Sequence, residues 1–338
     1  MLIYDLTLND LIDYLKEHGY KKYRAEQIWH WLYKQKVSSF DEMNNLPNDL
    51  VLLLKENFKI EALEMVVKHL SVDGTLKVLY SLHDGHLIEA VLMKQHYGNS
   101  ICVTTQVGCN IGCSFCASGQ LAKKRDLTSG EIIAQVIETE KLLGERINYI
   151  VVMGIGEPFD NYKNLTQFIL TANDPKGLEI GARHITVSTS GIVPKMKEYA
   201  HFGIQVNLAV SLHAPNNKIR TSLMKINQAY PVEEVLDAIR YYLKIANRRV
   251  TIEYILIDGV NDMEEVAVEL AKQLRGLNVY VNLIPYNEVI EAPYKRSKHE
   301  SQLKFYDTLK KHKIQVTLRK EQGHDINAAC GQLRSQHL

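Results

Sequence analysis

The sequence predicts an α/β protein in which a run of parallel β/α units follows a small helical module. From about residue 100 onward, short runs rich in Val and Ile alternate with longer amphipathic stretches, and six such pairs follow one another. Strands that are continuously apolar are typical of parallel sheets buried on both faces. Before this region, the first 60 or so residues have helical periodicity. The length of 338 residues allows one large domain and a smaller module.

The amino-terminal part is predicted to be helical up to a β-hairpin. Apolar residues recur at helical spacing after Asn9-Asp10, which we expect to cap the first helix. Residues 75–82 and 86–93 alternate around an Asp84-Gly85 turn, which predicts the hairpin. The predicted divisions are an RNA-contacting helical module over 1–74, a hairpin extension over 75–95, a β/α core over 96–320 and a catalytic tail over 321–338.

Six strands and six helices make up the predicted core. The strands cover residues 101–105, 149–153, 184–188, 206–212, 250–257 and 279–284. The helices cover residues 128–143, 165–171, 194–200, 232–245, 263–274 and 300–312. Thr128, with Glu131 three residues later, is expected to cap the first of these helices. Residues 314–318 are a candidate seventh strand. A doubly wound sheet and an open barrel both fit this order, and both place functional loops at the carboxyl ends of the strands.

The composition excludes a secreted protein and a membrane protein, and the net charge leaves the binding partner open. Forty Lys and Arg against 39 Asp and Glu give a net charge of +1, so bulk charge does not indicate a nucleic-acid partner. Basic residues do cluster locally, at 21–24, 123–125, 248–249, 295–298 and 310–313. The first ten residues lack the basic and apolar regions of a secretory signal. The longest apolar run, 149–155, is far shorter than the ~20 residues of a membrane helix. We therefore expect a cytoplasmic protein without membrane contact.

Three of the five cysteines, Cys109, Cys113 and Cys116, have a C-x3-C-x2-C spacing directly after the first strand of the core. In a reducing cytosol, such cysteines are metal ligands or catalytic groups more often than disulfides. Three soft thiolates suit an iron–sulfur cluster with one open iron. A structural zinc is the alternative, but it normally requires four ligands, and no fourth Cys or His stands at zinc-finger spacing.

The cysteine motif, with Phe115 directly before its last cysteine, resembles the radical S-adenosylmethionine (SAM) superfamily. The resemblance implies a partial (β/α)6 barrel and one 4Fe–4S cluster with three cysteine ligands. It also implies that the open iron binds SAM and that the reduced cluster cleaves SAM to a 5′-deoxyadenosyl radical.

Motifs at the ends of the other strands indicate one family within this superfamily. The sequence MGIGEP follows the second strand, STSG ends the third, SLH ends the fourth and NLIPYN ends the sixth. Together with the near-terminal sequence DINAACGQL, these motifs resemble the RlmN/Cfr family of RNA methyltransferases. The resemblance implies that SAM is contacted by Gly156, Glu157, Ser188, Ser211, Leu212 (through its backbone), His213 and Asn287.

The same resemblance assigns reactive roles to three residues outside the cluster motif. Cys330 takes a methyl group from one SAM, since a thiolate can attack the sulfonium and an adenine carbon cannot. A second SAM supplies the radical that activates this methyl group for addition to adenine. Cys102 then attacks the Cys330 sulfur, and a transient disulfide releases the RNA. Glu89 accepts a proton. Taken alone, Cys102 also fits a buried strand thiol, and Glu89 an outward-facing strand carboxylate.

The resemblance also predicts substrates and partners. They are adenine 2503 of 23S rRNA, methylated before full ribosome assembly, and adenine 37 of certain tRNAs, with an electron donor such as flavodoxin or ferredoxin. Pro158 resembles the branch that methylates C2, so C2 is the predicted carbon. The predicted oligomeric state is a monomer. The alternatives are C8 methylation, as in the Cfr branch, another radical SAM reaction, and a zinc-stabilised RNA-binding protein without catalysis.

Overall fold

The structure is a computed structural model that describes residues 1–290 and 292–333. The predicted tail over 321–338 is therefore described up to residue 333, and residues 334–338 lie outside the described residues. The helices are α1 (Leu8–Glu17), α2 (Lys22–His30), α3 (Asn48–Asn57), α4 (Ser129–Leu143), α5 (Tyr162–Asn173), α6 (Val193–Tyr199), α7 (Asn217–Leu223), α8 (Val232–Ala246), α9 (Glu264–Leu274) and α10 (His299–Lys311). The strands are β1 (Leu63–Leu70), β2 (Leu76–Leu82), β3 (Leu87–Gln95), β4 (Gly98–Cys102), β5 (Gln106–Val107), β6 (Arg125–Asp126), β7 (Ile147–Val152), β8 (Ile185–Thr189), β9 (Asn207–Ser211), β10 (Val250–Leu256), β11 (Val279–Pro285) and β12 (Gln315–Leu318).

One ten-stranded sheet organises the molecule, in the order β1-β2-β3-β4-β7-β8-β9-β10-β11-β12. Within this sheet, β4 and β7 to β12 pair in parallel, which confirms the six predicted core strands and the candidate seventh. Strands β5 and β6 form a separate antiparallel pair. The order of the parallel strands follows the chain without reversal. A doubly wound sheet requires a point at which the strand order reverses, whereas right-handed crossovers in one direction keep the helices on one face. The strand order therefore selects the open barrel.

The boundaries of the core elements agree with the sequence pattern to within three residues. The predicted cap of α4 is confirmed: the Glu131 N–H donates to Thr128 Oγ1 at 3.2 Å, and the Thr128 N–H donates to the Glu131 carboxylate at 2.9 Å. Helix α7 was not predicted; it is short and mostly polar, with the sequence NKIRTSL. Apolar side chains between the sheet and the helices form the main core.

The amino-terminal module contains α1 to α3, which pack around buried residues such as Leu11, Ile28 and Trp29. The expected cap of α1 was wrong. Thr7, not Asn9-Asp10, is the N-cap, because Thr7 Oγ1 accepts from the Asp10 N–H at 3.1 Å and the Asp10 carboxylate accepts from the Thr7 N–H at 2.9 Å. Asp10 is thus the third helical residue of a capping box.

Residues 63–70, which follow the predicted helices but lie inside the predicted module over 1–74, form strand β1 at the edge of the sheet. Most of its side chains are exposed, so the sequence lacks the alternation that marks a half-buried strand. The predicted hairpin is confirmed as β2 and β3, with Gly85 at φ +79° in the turn. Since β3 also pairs with β4, the hairpin continues the core sheet and does not form a separate unit.

No helix within the described part of the chain has the length and apolar character needed to span a bilayer.

Candidate active site

The carboxyl ends of the parallel strands surround one pocket, which we call the cysteine cavity. It encloses about 910 Å³ including its open mouth. The three motif cysteines line it together with residues that follow β7, β8, β9 and β12. Of the predicted site residues, the cysteine cavity is lined by Cys109, Cys113, Cys116, Gly156, Glu157, Ser188, Ser211, His213 and Cys330. Residues more than 200 positions apart in the chain therefore meet in one place, at the sheet edge that the sequence predicted.

The cysteine motif forms a compact loop between β5 and β6. The Cys109 N–H donates to the Leu121 carbonyl at 2.9 Å, and the Cys116 N–H donates to the Cys113 carbonyl at 3.2 Å. A Cβ atom at Gly119 would lie 2.7 Å from the Cys113 carbonyl oxygen, which is closer than real Cβ atoms come. Glycine at this position therefore allows the loop to fold back on itself and turn its thiols to the cavity.

The motif thiols are buried, and burial raises the pKa of Cys109 to about 12 and raises the pKa of Cys113 and Cys116. They are protonated until a metal centre displaces the protons. Within residues 1–290 and 292–333, no three His, Cys, Asp or Glu side chains are arranged to hold a single metal ion. The three motif thiols nevertheless line one cavity, and soft thiolates of this kind suit an iron–sulfur cluster.

Gly154 and Gly156 allow the chain after β7 to pass close to the strand-end residues of β4. A Cβ atom at Gly154 would lie 2.7 Å from the Val103 carbonyl oxygen. At Gly156, which has φ +105°, it would lie 2.6 Å from Gln106 Cβ. Both positions therefore require glycine, and the tight path brings Glu157 to the cavity wall.

The Glu157 carboxylate is held by the end of β8. It accepts hydrogen bonds from Thr189 Oγ1 at 2.7 Å, the Ser190 N–H at 2.7 Å and the Phe159 N–H at 3.0 Å. Burial raises the pKa of Glu157, and these hydrogen bonds oppose the shift by stabilising the anion. A fixed carboxylate at a cavity wall is suited to bind an ammonium group.

His213 follows β9 and has an unusual backbone, with φ +57°. Its Nδ1 accepts a hydrogen bond from the Ile255 N–H at 3.1 Å, so the proton of the neutral ring is on Nε2. Burial, and then the charge of Arg220, lower the pKa of His213 to about 3. The ring also packs edge-on against Phe115 at 5.1 Å between centroids. His213 thus presents a neutral imidazole beside the cysteine motif.

Leu212 differs from its neighbours Ser211 and His213, because its side chain is fully buried in the main core. Its N–H donates to the Glu253 carbonyl at 3.2 Å, and its carbonyl accepts from Arg220 Nε at 3.2 Å. Both backbone groups expected to contact SAM therefore have protein partners in this structure.

A second pocket, the tail cavity, adjoins the first and encloses about 740 Å³ including its mouth. Cys102, Asn287 and Cys330 line it, and Cys330 lines both cavities. The Asn287 side chain donates to the Cys330 carbonyl at 3.1 Å, while its Oδ1 is buried and has no hydrogen-bond partner among the described residues. The fold thus places both cysteines outside the motif next to the motif itself.

Cys102 is fully enclosed, and burial, followed by the neighbouring Cys330, raises its pKa to about 12. The charge of Arg319 opposes this shift. Cys102 is therefore a neutral thiol at physiological pH, and all five cysteines are unpaired in this structure. A role as nucleophile requires that a proton be removed from Cys102 during the reaction.

Glu89 lies on β3, on the same face as Val91, which lines the tail cavity. Its side chain is 5% exposed and lies 3.3 Å from Lys77 Nζ, which also donates to the Asn327 carbonyl of the tail at 3.4 Å. The outward-facing alternative for Glu89 is therefore wrong. The residue is buried beneath the tail and forms an ion pair.

Residues 321–333 are held against the body of the molecule at both ends. Ser71 Oγ donates to the Asp325 carboxylate at 2.5 Å, and the Gly323 N–H donates to the Asp73 carboxylate at 2.9 Å. At the other end, Ser118 Oγ donates to the Leu333 carbonyl at 2.6 Å. The tail therefore bridges the β1–β2 turn and the cysteine loop, with Cys330 between them.

Two polar residues of the site were not predicted. Glu253 lies within β10 and lines the cysteine cavity, and Arg319 directly follows β12 and lines both cavities. An acidic residue in an otherwise apolar strand, and a polar residue at the end of the seventh parallel strand, are the signals that could have identified them.

Comparisons with known proteins show which family this chain resembles. The Radical SAM superfamily matches residues 103–271, and the family described as ribosomal RNA large subunit methyltransferase N-terminal domain matches residues 2–60. The probable dual-specificity RNA methyltransferase RlmN of Acholeplasma laidlawii is 67% identical over 100% of both chains. The protein of the same name from Enterococcus faecalis is 56% identical over 99% of this chain and 96% of its own. The crystal structure of a radical SAM methyltransferase from Sphaerobacter thermophilus has a TM-score of 0.96 at 44% identity, covering 99% of this chain and 100% of that one.

Proposed function

This chain belongs to the RlmN family of radical SAM RNA methyltransferases, and we propose that it methylates C2 of adenine in RNA. The proposed substrates are adenine 2503 of 23S rRNA, before full ribosome assembly, and adenine 37 of certain tRNAs. The observation that carries the proposal is the position of Cys330. This near-terminal thiol lies where the cysteine cavity meets the tail cavity, with Cys102 lining the second.

The residues of the cysteine cavity fit the cofactors of the superfamily. Cys109, Cys113 and Cys116 would hold a 4Fe–4S cluster, which, when reduced, supplies the electron that cleaves SAM to a 5′-deoxyadenosyl radical. Gly156 and Glu157 would bind the ammonium group of SAM, since the Glu157 carboxylate is fixed at the wall. Ser188, Ser211 and His213 line the remainder of the cavity and would contact SAM there. Asn287 and the Leu212 backbone are proposed to join them when their present hydrogen bonds are exchanged.

Cys330 would act first as a methyl acceptor. Its thiolate takes the methyl group of one SAM, and S-methylcysteine splits a difficult transfer into two easier steps. The 5′-deoxyadenosyl radical would take a hydrogen atom from this methyl group, and the methylene radical would add to adenine C2 and join protein to RNA. The unpaired electron of the adduct would pass back to the cluster. Glu89, buried beneath the tail, would accept the proton displaced from C2. Cys102, across the tail cavity, would lose its proton and attack the Cys330 sulfur. A disulfide forms, the bond between sulfur and the methylene carbon breaks, and that carbon keeps the electron pair and takes a proton as the methylated base leaves.

The remaining proposals concern RNA and partners. A base in a barrel interior must leave its stack, which costs a few kcal/mol and requires compensating contacts. We assign those contacts to the helical module within residues 1–74, because residues 2–60 match an rRNA methyltransferase domain. The chemistry would be carried by the extension over 75–95, the core over 96–320 and the tail from residue 321. We propose that the enzyme is a monomer and that flavodoxin or ferredoxin supplies its electrons. Substrates of this kind place the enzyme in the cytoplasm.

The test is RNA methylation by anaerobically purified protein with reconstituted cluster. Wild-type protein should yield 2-methyladenosine in the digested RNA, and Cys330→Ala should yield none while it retains wild-type iron and sulfide. A variant with Cys109, Cys113 and Cys116 all changed to Ala should lose both iron and activity. Methylated adenine from Cys330→Ala would refute the role of Cys330.

Two further measurements separate the alternatives. Chromatographic retention distinguishes 2-methyladenosine from 8-methyladenosine, so 8-methyladenosine would assign the C8 reaction. Metal analysis of the purified protein distinguishes a radical enzyme from a zinc-stabilised RNA-binding protein, because the latter would contain zinc without iron or sulfide.

A further inference from the structure

Arg319 is held at the junction of the two cavities by the sheet itself. It directly follows β12, and its N–H donates to the Leu283 carbonyl of β11 at 2.8 Å. Its side chain lines both the cysteine cavity and the tail cavity. Since its backbone is fixed by the β11–β12 ladder, its guanidinium group is positioned by the barrel and not by the tail.

The guanidinium group contacts the sulfur of Cys330. Arg319 Nη1 lies 3.3 Å from Cys330 Sγ and donates to it. The pKa of Arg319 is raised, first by the attraction of Cys330 and also by Glu253 and Cys102, against the effect of burial. One cation thus acts on both cysteines that the proposed reaction uses.

A permanently charged guanidinium group suits this position better than a base would. Arginine keeps its proton in proteins, so it cannot deprotonate a thiol, but it can stabilise the thiolate by a charge-assisted hydrogen bond. The thiolate, and not the thiol, is the nucleophile that accepts a methyl group. The planar donor also fixes the direction from which the sulfur is approached.

We propose that Arg319 is a catalytic residue that holds the Cys330 sulfur by a hydrogen bond where the two cavities meet and stabilises the negative charge that this sulfur carries when it attacks a methyl group. The inference rests on the proposed function, in which that sulfur accepts a methyl group. In this step a bond forms between the Cys330 sulfur and the methyl carbon while the sulfonium–methyl bond breaks. Its electron pair passes to the SAM sulfur, so a thioether and S-adenosylhomocysteine result and the thiolate charge is consumed.

The groups around this sulfur are consistent with the proposal. Glu253 lines the cysteine cavity and accepts a hydrogen bond from the Asn282 side chain at 2.8 Å. Burial raises the pKa of Glu253, and the charge of Arg319 opposes this shift. Cys102 and Cys116 also lie near Cys330, and burial raises the pKa of each. Glu321 lines the tail cavity and forms an ion pair with Arg296, and Glu157 lines the cysteine cavity.

The test measures the reactivity of Cys330 in cluster-containing protein, independently of methyl transfer. The protein is treated anaerobically with iodoacetamide at one pH, and peptide mass spectrometry follows the alkylation of Cys330 with time. Because hydrogen bonds to charged groups are strong, Arg319→Gln should slow this alkylation about ten- to a hundredfold. Arg319→Lys should give an intermediate rate, since it keeps the charge but not the planar donor.

Lys320→Gln is the matched control. Lys320 is the exposed neighbour of Arg319, and this change removes the same charge without a contact to the sulfur. It should leave the alkylation rate of Cys330 within twofold of wild type. If Arg319 only packs the tail, Arg319→Gln should expose Cys330, and Cys330 should be alkylated at the wild-type rate or faster. That result would overturn the proposal. Should Arg319→Gln fail to fold, a wild-type rate in Arg319→Lys would overturn it equally.

Failure of this inference is distinguishable from failure of the proposed function. If wild-type protein methylates RNA but the alkylation rate does not respond to Arg319→Gln, the role of Arg319 is wrong and the methyltransferase reaction stands. If alkylation responds as expected but wild-type protein produces no methyladenosine, the role of Arg319 stands as an activator of the Cys330 sulfur and the proposed reaction is wrong.

Discussion

At the scale of single residues, burial decides which groups of the site carry charge. His213 is neutral because burial and the nearby Arg220 charge lower its pKa to about 3. Two influences on the pKa of Glu157 oppose each other: burial raises it, and three hydrogen bonds to the anion lower it. These states follow from the surroundings and could not be derived from residue identity.

His213 should make stability depend on pH below its ordinary pKa. Because its pKa in the folded protein lies below about 6.5, the unfolded chain binds the extra proton as pH falls from 6.5 toward 3, and stability is lost over that range. His213→Gln lacks this contribution. The difference in unfolding free energy between wild type and His213→Gln should therefore shrink by about 2 kcal/mol from pH 7.5 to pH 5. Urea unfolding of cluster-free protein at both pH values measures it, and an unchanged difference would contradict the assignment.

Glu89→Gln should separate the two halves of the proposed reaction. The side chain keeps its size but can no longer accept a proton, so Cys330 should still become methylated while release of methyladenosine falls at least a hundredfold. Intact mass reports the first step and nucleoside analysis the second.

Glu64→Gln is the matched control for Glu89→Gln, because Glu64 is exposed on the edge strand β1 of the same sheet. It should behave as wild type in both measurements. Loss of Cys330 methylation in Glu89→Gln would instead indicate that Glu89 supports the tail structurally.

At the scale of elements, the tail depends on the β1–β2 turn. Gly323 has φ +65°, and a Cβ atom there would lie 2.8 Å from Ala328 Cβ and 2.9 Å from Thr75 Cγ2. The Asp73 carboxylate accepts a hydrogen bond from the Gly323 N–H. Burial would raise the pKa of Asp73, but hydrogen bonds from Thr75 and Gly323 outweigh it and lower this pKa to about 2. This anchor therefore stays ionised throughout the physiological range.

Gly323→Ala should loosen the tail without unfolding the barrel. The side chain combines left-handed backbone strain with two close contacts, so we expect faster proteolysis within the tail and at least tenfold slower RNA methylation. Limited proteolysis with mass spectrometry measures the first effect.

Gly203→Ala provides the comparison for Gly323→Ala. Gly203 has a similar φ of +80°, and a Cβ atom there would meet no atom within 4 Å. In Gly203→Ala, the tail over residues 321–333 should resist protease as it does in the wild-type protein. Equal tail cleavage in the two variants would show that backbone strain alone, and not the contact with Thr75 and Ala328, is responsible.

At the scale of the whole molecule, the fold separates the basic clusters that look alike in the sequence. Lys123 pairs with Asp126 and Asp160, each at 2.8 Å. Arg125 pairs with Asp84 and Glu131. Lys21 and Lys22, in contrast, are exposed at the start of α2, within the segment that matches an rRNA methyltransferase domain. Lys21 and Lys22 are therefore our candidates for contacts with RNA phosphates.

Changing both Lys21 and Lys22 to Ala should weaken RNA binding and reduce its salt dependence. Removing two phosphate contacts should lower the slope of log affinity against log salt by about 2. The change of both Lys310 and Lys311 to Ala removes the same charge at the end of α10, which precedes the edge strand β12. Filter binding at several salt concentrations compares the two, and equal slopes in both variants would reject a contact at Lys21 and Lys22.

The sequence by itself determined the repeating elements and the chemistry that they carry. The β/α alternation located the seven parallel strands to within three residues, because hydrophobic periodicity is a property of each stretch alone. The cysteine spacing and the polar residues at strand ends predicted the edge at which the site lies, since parallel strands share their carboxyl edge.

Only the tertiary structure decided which distant residues meet. It selected the barrel over the doubly wound sheet through the strand order, and it added the exposed strand β1. It also buried Glu89 against Lys77 and placed Arg319 on the Cys330 sulfur. Contacts of this kind depend on how the strands are ordered and how the tail returns to the sheet, and no local pattern in the chain encodes the distance between two such residues.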